Sequence, residues 1–413
     1  MIKFERFTLD NGLRVLIHED HTTPMAVLNV LYDVGARDED EHRTGFAHLF
    51  EHLMFGGSIN IPSYDEPLQR VGGENNAFTS NDITNYYITL PAENLETAFW
   101  LESDRMLDLA FSEKSLDVQR NVVSEEFKQR YLNQPYGDVW LKLRPLVYTR
   151  HPYKWATIGK ELKHIEEATI EDVKAFFKKH YHPANAILVV GGDVNRAQVE
   201  ELSKKWFGPI NAGEKIVRSL PVEPEQTKFR SLTVKADVPQ NSIYMAFKMP
   251  GRLDKDFYAY DLLSDILSMG QSSRLHQHLV KDNPLFSDIN AYITSSIDPG
   301  MFLIEGRLST GVSVEEAEQA IWNELDLLKK DGISESELVK VKNKGAAIEA
   351  FNRLSLLDKA MDLAYHELLG DAEGINLERD KYNAVTTAEI LKLVEQKFGR
   401  EKCSILYYLA NDK

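Results

Sequence analysis

Apolar positions along the chain follow the two periods that distinguish strands from helices. The N-terminal stretch MIKFERFTLDNGLRVLIHED predicts a strand, a turn at Asp10-Asn11-Gly12 and a second strand. Residues 27–39, AVLNVLYDVGARD, predict a strand that ends in a glycine turn. The next segment, GFAHLFEHLMFGG, predicts a helix of about three turns between Gly45 and Gly56-Gly57. Its apolar residues predict one buried stripe, formed by Phe46, Leu49, Phe50, Leu53 and Met54.

The same succession of elements recurs in the second half of the chain. The strand at 27–39 corresponds to one at 241–254, and the helix HLFEHLMF corresponds to DLLSDILS with its apolar positions kept. Further pairs follow in the same order: 86–108 with 301–328, 111–121 with 333–343, and 168–192 with 385–409. Corresponding segments in one order indicate a duplicated unit.

The duplication predicts two domains, and a length of 413 residues agrees with two domains of about 200 residues each. We expect the first domain to occupy residues 1–210. The stretch 211–228, NAGEKIVRSLPVEPEQTK, is polar and contains two prolines, so it is predicted to be the linker. The second domain then spans 229–413 and carries no metal ligands.

Five residues of the predicted helix carry the candidate chemistry. His48-Leu49-Phe50-Glu51-His52 spells H-x-x-E-H. On a helix, His48 and His52 lie one turn apart on one face and can hold one metal ion, with Glu51 at the flank of that face. Zinc lowers the pKa of a bound water to about 7, and a neighbouring carboxylate can take its proton. The motif therefore predicts metal-assisted hydrolysis with Glu51 as the base.

The alternative interpretation of the motif is a helix whose histidines share a face by chance. The buried stripe beside them argues against this, because polar groups next to a buried surface need partners. The second copy of the helix also keeps the apolar positions but has Asp261, Ser264 and Asp265 in place of the two histidines and the glutamate. Packing therefore does not require those three polar residues, and we expect them to serve chemistry.

A third protein ligand is expected, because catalytic zinc usually has three. The candidate lies in the predicted helix SLDVQRNVVSEEFKQRYLN. Glu126 follows Val122 and Val123 by one helical turn, so it points to the buried side more than Glu125 does. The equivalent position in the second copy is Ile348, also a residue type that prefers burial. We predict Glu126 as the third ligand and Glu125 as a residue of the solvated helix edge.

Composition restricts the partners and the compartment. The net charge is −16 and the pI about 5.3, which argue against nucleic acid or an anionic membrane as the partner. The single cysteine, Cys403, excludes an internal disulfide and a thiolate zinc site. No apolar run reaches the roughly 18 residues of a membrane span. The N-terminus has no apolar signal region, so we expect a cytoplasmic protein, or a periplasmic one if a signal peptide was removed.

The chain resembles the pitrilysin family of zinc peptidases, the inverzincins, which include insulin-degrading enzyme and mitochondrial processing peptidase. Besides H-x-x-E-H, the resemblance covers nearly the whole chain of a half-length bacterial-type member. It rests on GGENNAFTSNDITNYYITLP (72–91), RNVVSEEF (120–127), HPYKWATIG (151–159), YHPANAILVVGGDV (181–194) and SSRL (272–275).

The resemblance implies an α+β fold made by tandem duplication of a unit with a mainly antiparallel sheet covered by helices on one side. Two such units form half of a clamshell that encloses a chamber. The resemblance also maps the third zinc ligand onto Glu126, and it implies one Zn²⁺ per chain.

The resemblance further implies a peptide-binding strand. Residues Asn76, Ala77, Phe78 and Thr79 resemble the edge strand to which an extended substrate adds as a further strand. An unpaired strand edge hydrogen-bonds to the backbone of a peptide and does not depend on the peptide's side chains. This suits substrates that are unfolded and vary in sequence. Asn76 is the candidate to hydrogen-bond near the scissile bond. The alternative is an ordinary half-buried strand.

One departure from the family pattern affects the expected assembly. Active homodimeric relatives carry an arginine and, seven residues later, a tyrosine after SSRL, and these residues stabilise the tetrahedral intermediate. Here the two positions are Val280 and Ser287. Loss of one such donor can cost about 10²–10³ in rate. The chain therefore resembles the metal-carrying subunit of a heterodimer whose related partner supplies the arginine and tyrosine, with a homodimer as the alternative.

The sequence thus predicts a zinc endopeptidase that cleaves peptides or unfolded segments in an enclosed chamber, with no nucleic-acid or membrane partner. A non-catalytic assembly subunit of a larger complex is one alternative, and it predicts a damaged zinc site. A presequence-processing peptidase is the alternative within the enzyme class.

Overall fold

The computed structural model describes residues 1–411, which divide into two compact units. The first unit comprises Met1–Lys128, Trp155–Leu220 and Ala350–Leu377, and the second comprises Gln129–Lys154, Pro221–Glu349 and the residues from Glu378 onward. Each unit is built on one mainly antiparallel sheet that carries helices, so the predicted α+β class is confirmed.

Several helices of the first half start at a side-chain cap, such as Ser112 or Thr169. In chain order, the elements of this half are β1 (Glu5–Thr8), β2 (Arg14–Glu19), β3 (Met25–Tyr32), α1 (Phe46–Leu53), α2 (Asp65–Arg70), β4 (Glu74–Thr79), β5 (Thr84–Pro91), α3 (Leu95–Leu107), α4 (Glu113–Phe127), α5 (Val139–Val147), α6 (Leu162–Glu166), α7 (Ile170–His180), β6 (Ala186–Gly192) and α8 (Arg196–Trp206).

The second half repeats this order. Its elements are β7 (Arg230–Ala236), β8 (Ser242–Lys248), α9 (Phe257–Ser268), β9 (Phe286–Ile293), β10 (Met301–Leu308), α10 (Val314–Asp331), α11 (Glu335–Asn352), α12 (Leu356–Leu368), α13 (Gly374–Ala384), α14 (Thr387–Lys397) and β11 (Cys403–Ala410). Within residues 1–411, every helix is too short or too polar to span a membrane.

The two sheets have the same topology. The first has the order β1-β2-β6-β3-β5-β4 and the second has the order β7-β11-β8-β10-β9. Each contains one parallel pair, β2 with β6 and β7 with β11, and all other pairs are antiparallel. Apart from the additional strand β1, the second sheet repeats the first strand by strand, so the duplication inferred from the hydrophobic pattern is confirmed.

Each unit contains one helical segment from the other half of the chain. The units therefore differ from the continuous domains predicted from the sequence, which were 1–210 and 229–413 with a linker at 211–228. Helix α12 comes from the second half but packs on the first sheet, where Ala360 and Leu363 share a core with Val27 and Leu31. Helix α5 comes from the first half but packs on the second sheet, where Leu143 lies in a core with its strands. These helices bury sheet faces that would otherwise expose apolar residues.

The predicted linker has neither helix nor strand at 211–227, yet two of its charged side chains form close ion pairs and hydrogen bonds. In the first unit, Arg218 forms ion pairs of 2.6 Å with Asp33 and Asp38. In the second unit, the Glu223 carboxylate accepts hydrogen bonds of 2.8 to 3.0 Å from consecutive backbone N–H groups of residues 149–151, and one of 2.6 Å from Lys248. Each unit thus holds its own end of the linker.

We predict that Glu223→Gln destabilises the protein in a pH-dependent way. Burial alone would raise the pKa of Glu223, but the hydrogen bonds from Lys248 and residues 149–151 lower it to about 2. Because this folded-state pKa lies below the unfolded value, the stabilisation is present above about pH 4.5 and is lost as the pH falls toward 2. The variant should lower the unfolding midpoint by roughly 5 °C at pH 7.

The measurement is thermal unfolding of both proteins between pH 3 and 7, and the difference in midpoint should shrink toward low pH. Glu225→Gln is the matched control, because its side chain is 70% exposed and its ion pair with Lys402 is a surface contact. Equal effects of the two substitutions, or a difference that does not depend on pH, would contradict the assignment.

Candidate metal centre

Helix α1 has one apolar and one polar face. All five residues of the predicted stripe are buried, which confirms it. The helix has eight residues, shorter than the predicted three turns, because Met54 caps it. Its buried face packs on aromatic residues from the end of helix α7, and the ring of Phe50 lies 5.0 Å from Phe176 and 5.1 Å from Tyr181.

The polar face of α1 presents the two histidines. His48 and His52 are half-buried, with 12% and 25% of their side chains exposed. Their ring centroids lie 4.9 Å apart and the rings are nearly perpendicular, at 83°. The i, i+4 spacing therefore brings the two imidazoles together on one side of the helix, as the sequence predicted.

Helix α4 supplies the carboxylate opposite them. It starts at a capping box on Ser112 and packs against α1, and Glu126 lies in its last turn with 18% of its side chain exposed. Its neighbour Glu125 is 61% exposed and accepts a hydrogen bond of 2.8 Å from Lys128. The structure thus places Glu126 toward the histidines and Glu125 on the outer face.

Two premises of the sequence argument for Glu126 are wrong. Val122 is 43% exposed and Ile348 is 44% exposed, although both were expected to be buried. The buried stripe of α4 instead passes through Leu116, Val123 and Phe127. Adjacent positions on a helix are rotated by about 100°, so Val122 and Val123 cannot both face the core.

The ligand atoms of His48, His52 and Glu126 all lie within 4.8 Å of one another. The Glu126 Oε2 atom is 3.6 Å from His48 Nε2 and 3.4 Å from His52 Nε2. In a tetrahedral zinc site with bonds of about 2.0–2.2 Å, neighbouring ligand atoms lie about 3.3–3.6 Å apart. Two imidazole nitrogens and a carboxylate oxygen at these distances therefore fit a zinc ion.

No other cluster of three or more His, Cys, Asp or Glu within residues 1–411 has metal-holding spacing. The described part of the second unit therefore contains no such cluster, and the absence of a metal site there stays a prediction.

Glu51 lies between the two histidines in sequence and is half-buried. It is not a member of the three-residue ligand cluster. Burial raises the pKa of Tyr86, and the nearby Glu51 carboxylate contributes to that shift. Burial likewise raises the pKa of Tyr181, again with a contribution from Glu51. Glu51 therefore lies near Tyr86 and Tyr181 and outside the cluster of the three ligand candidates.

Strand β4 lies at the edge of the first sheet and packs beside α1. It pairs with β5 in antiparallel register, with Asn76 opposite Tyr87 and Ala77 opposite Tyr86. Asn76 and Phe78 are exposed, whereas Ala77 and Thr79 are half-buried. The placement at an edge beside α1 is compatible with peptide docking, and that role stays a prediction.

The two positions that depart from the family pattern lie in the second unit. Val280 is in a π-helical segment, His276–Asp282, and is partly buried against the apolar core. Ser287 lies on the edge strand β9, where its exposed hydroxyl is 3.3 Å from the backbone oxygen of Arg307.

Sequence reasoning missed Glu39, a buried carboxylate whose oxygens accept hydrogen bonds from the backbone at the start of α1. The sequence signal for it is weak, because it is one of several acids in the segment DVGARDEDEH. The glycine at the start of the helix, Gly45, was the available hint, since glycine has no side chain with which to cap a helix.

Comparison with known families matches both halves of the chain. Residues 14–142 match the family described as Insulinase (Peptidase family M16). Residues 167–344 match a family described as Peptidase M16 inactive domain. The metal-binding candidates on α1 and α4 lie within the first match, and the second match covers mainly the half without ligands.

Individual relatives and a solved structure agree with this match. The chain is 33% identical to the zinc protease PqqE of Helicobacter pylori over 402 residues, which cover 96% of this chain and 90% of that protein. It is 28% identical to the uncharacterized zinc protease YmxG of Bacillus subtilis, over 92% of this chain and 94% of that protein. The crystal structure of a protease from Helicobacter pylori matches with a TM-score of 0.92 and 31% identity, covering 99% of this chain and 100% of that one.

We predict that Glu126→Gln abolishes tight zinc binding and that Glu125→Gln does not. An amide is a far weaker zinc ligand than a carboxylate. Loss of a residue that only hydrogen-bonds to a metal ligand lowers metal affinity by about 10–100-fold, so loss of a ligand itself should lower zinc affinity by about 100-fold or more. Zinc affinity is measured by competition with a chelator, and zinc content by elemental analysis. Equal affinities for the two variants would exclude Glu126 as a ligand.

Proposed function

The chain belongs to the insulinase family of peptidases, family M16, and on this premise we propose that it is a zinc-dependent endopeptidase that cleaves peptides or unfolded segments. The observation that carries the proposal is the convergence of His48, His52 and Glu126 at distances that fit one zinc ion. This ligand set leaves a fourth coordination position for the reaction, as catalytic zinc sites do.

The roles of the residues follow from their chemistry. His48, His52 and Glu126 would hold the ion. When bound, zinc supplies Lewis acidity, which polarises a peptide carbonyl and lowers the pKa of a water molecule. Glu51 accepts the proton of the attacking water at its carboxylate and then delivers it to the nitrogen of the leaving amine. Its position on α1, beside the ligands but outside their cluster, supports this role.

The substrate binds as an additional strand on β4. The unpaired side of β4 offers backbone N–H and C=O groups to any extended peptide. Its exposed side chains, Asn76 and Phe78, contact the peptide, and Asn76 hydrogen-bonds close to the scissile bond. Packing of β4 beside α1 supports this arrangement, because it brings a docked peptide near the helix that carries Glu51.

The active assembly contains a second chain. Neither Val280 nor Ser287 can supply a charged or phenolic hydrogen bond to a tetrahedral intermediate. We therefore favour a heterodimer in which a related subunit supplies an arginine and a tyrosine over a homodimer.

The alternative of a non-catalytic assembly subunit expects a damaged ligand set, and the close approach of the three ligand atoms argues against it. A presequence-processing peptidase is the alternative that uses the same zinc chemistry. The peptide sequences that the protein cleaves would distinguish it from a general endopeptidase.

We predict that Glu51→Gln retains zinc but loses hydrolysis. Glutamine keeps the shape of the side chain and cannot accept a proton at neutral pH, so the rate should fall by about 10²–10⁴. The assay is cleavage of a quenched fluorogenic peptide, with zinc content measured in parallel. Glu125→Gln, at an exposed position on α4, is the control and should keep the wild-type rate. Undiminished hydrolysis by Glu51→Gln would exclude it as the base.

We also predict that the zinc-loaded chain alone cleaves the peptide at least about 10² more slowly than its mixture with a related subunit that has the arginine and tyrosine. Sedimentation of the two samples reports whether a mixed dimer forms. Full activity of the chain alone, abolished by Glu51→Gln, would instead establish a self-sufficient homodimer.

A further inference from the structure

Glu39 is a buried carboxylate at the start of the helix that carries both histidines. Its side chain lies in the loop between β3 and α1, and the residue is 8% exposed. One oxygen accepts a hydrogen bond of 2.8 Å from the N–H of Gly45, and the other accepts one of 2.8 Å from the N–H of Ala47. Glu39 thus occupies the N-terminus of α1 although it lies outside the helix.

Helix α1 needs this acceptor because it has no cap of its own. The first N–H groups of a helix lack partners within the helix, and a side chain at the capping position normally supplies one. Here that position is Gly45, at φ 90° in the left-handed region that favours glycine. A Cβ at residue 45 would lie 2.7 Å from the Ile158 oxygen, so a capping side chain does not fit there.

Burial and the two backbone hydrogen bonds act in opposite directions on the pKa of Glu39. Burial has the larger effect and raises the pKa to about 8. Because this folded-state pKa lies above the unfolded value, the stability contributed by the protonated form falls as the pH rises from about 4.5 toward 8.

The loop that carries Glu39 is also bonded to the turn that follows β4. The N–H of Ala36 donates to the Ser80 oxygen at 3.2 Å, and the N–H of Arg37 donates to the Asn81 oxygen at 2.9 Å. From the other side, the Trp155 indole N–H donates to the Ala36 oxygen at 2.8 Å. Glu39 is therefore the link between this fixed loop and the first turn of α1.

We propose that Glu39 is a positioning residue that fixes α1 against the loop after β4, so that His48 and His52 meet Glu126. The inference rests on the proposed metal site and adds to it the group that orients the histidine helix. His48 immediately follows Ala47, whose N–H Glu39 binds, so a displacement of this turn moves the first histidine directly.

The pair of hydrogen bonds requires a carboxylate of this length. Its two oxygens accept from two N–H groups at once, whereas glutamine has one oxygen and one NH₂ group. In Glu39→Gln, the NH₂ group therefore faces one of the two backbone N–H groups, and two donors then lie together without an acceptor. In Glu39→Asp, both acceptor oxygens remain, but the side chain is one methylene shorter and cannot reach both donors from an unchanged loop.

The test compares the zinc affinity of the full chain with its zinc-free unfolding midpoint. We expect Glu39→Gln to weaken zinc binding by about 10-fold or more, as the loss of outer partners of metal ligands does. Asn195→Ala is the matched control, because Asn195 caps α8 in the same unit through a hydrogen bond of 3.0 Å to the Gln198 N–H. It should lower the midpoint at least as much as Glu39→Gln does and leave zinc affinity unchanged.

Wild-type zinc affinity in Glu39→Gln would overturn the inference, and so would an equal loss of affinity in Asn195→Ala. If Glu39→Gln does not fold, Glu39→Asp decides: weaker zinc binding supports the inference and wild-type binding overturns it. A failure of the proposed metal site itself is distinguishable, because the unaltered chain would then bind no zinc.

Discussion

The position of helix α1 is the constraint on which the site depends. One face must be buried against the aromatic end of α7, and the opposite face must carry two imidazoles to a carboxylate on a different helix. Burial of Phe50 and its apolar neighbours fixes the rotation of α1 about its axis, because turning them toward water would lose roughly 1.5–3 kcal/mol per side chain. The hydrophobic core thus orients His48 and His52 before any metal is bound.

The duplicated unit shows the same helix without the two histidines and the glutamate. Helix α9 keeps the buried apolar residues that correspond to those of α1. Its first aspartate, Asp261, accepts a hydrogen bond from the hydroxyl of Tyr382 in α13. Burial raises the pKa of Asp265 to about 7. In the second unit, the acidic residues of this face are thus hydrogen-bonded or buried. The first unit keeps three ligand groups facing one another.

Local pattern was enough to predict the strands and helices of the repeated segments and the turn at Asp10-Asn11-Gly12, because strand and helix periods and turns depend on neighbours in sequence. It was also enough for the i, i+4 histidines. It was not enough for the exchange of α5 and α12, since an amphipathic helix shows that one face is buried but not which sheet buries it. A related limit applies to Val122, because the pattern does not decide which of two adjacent apolar positions faces the core.

Buried polar groups lie at both ends of α1. At its N-terminal end is the Glu39 carboxylate. Beyond its C-terminal end, the fully buried Arg105 pairs with Glu102 and lies 5.2 Å from the ring of Phe55 and 4.3 Å from that of Tyr86. Burying the charged Arg105–Glu102 pair costs desolvation free energy, whereas burying apolar residues of similar size would not. Hydrogen bonds and ion pairs are directional, however, whereas apolar contacts tolerate small shifts. At the N-terminal end of α1, the two hydrogen bonds of Glu39 therefore restrict small shifts of the helix more than apolar contacts alone would.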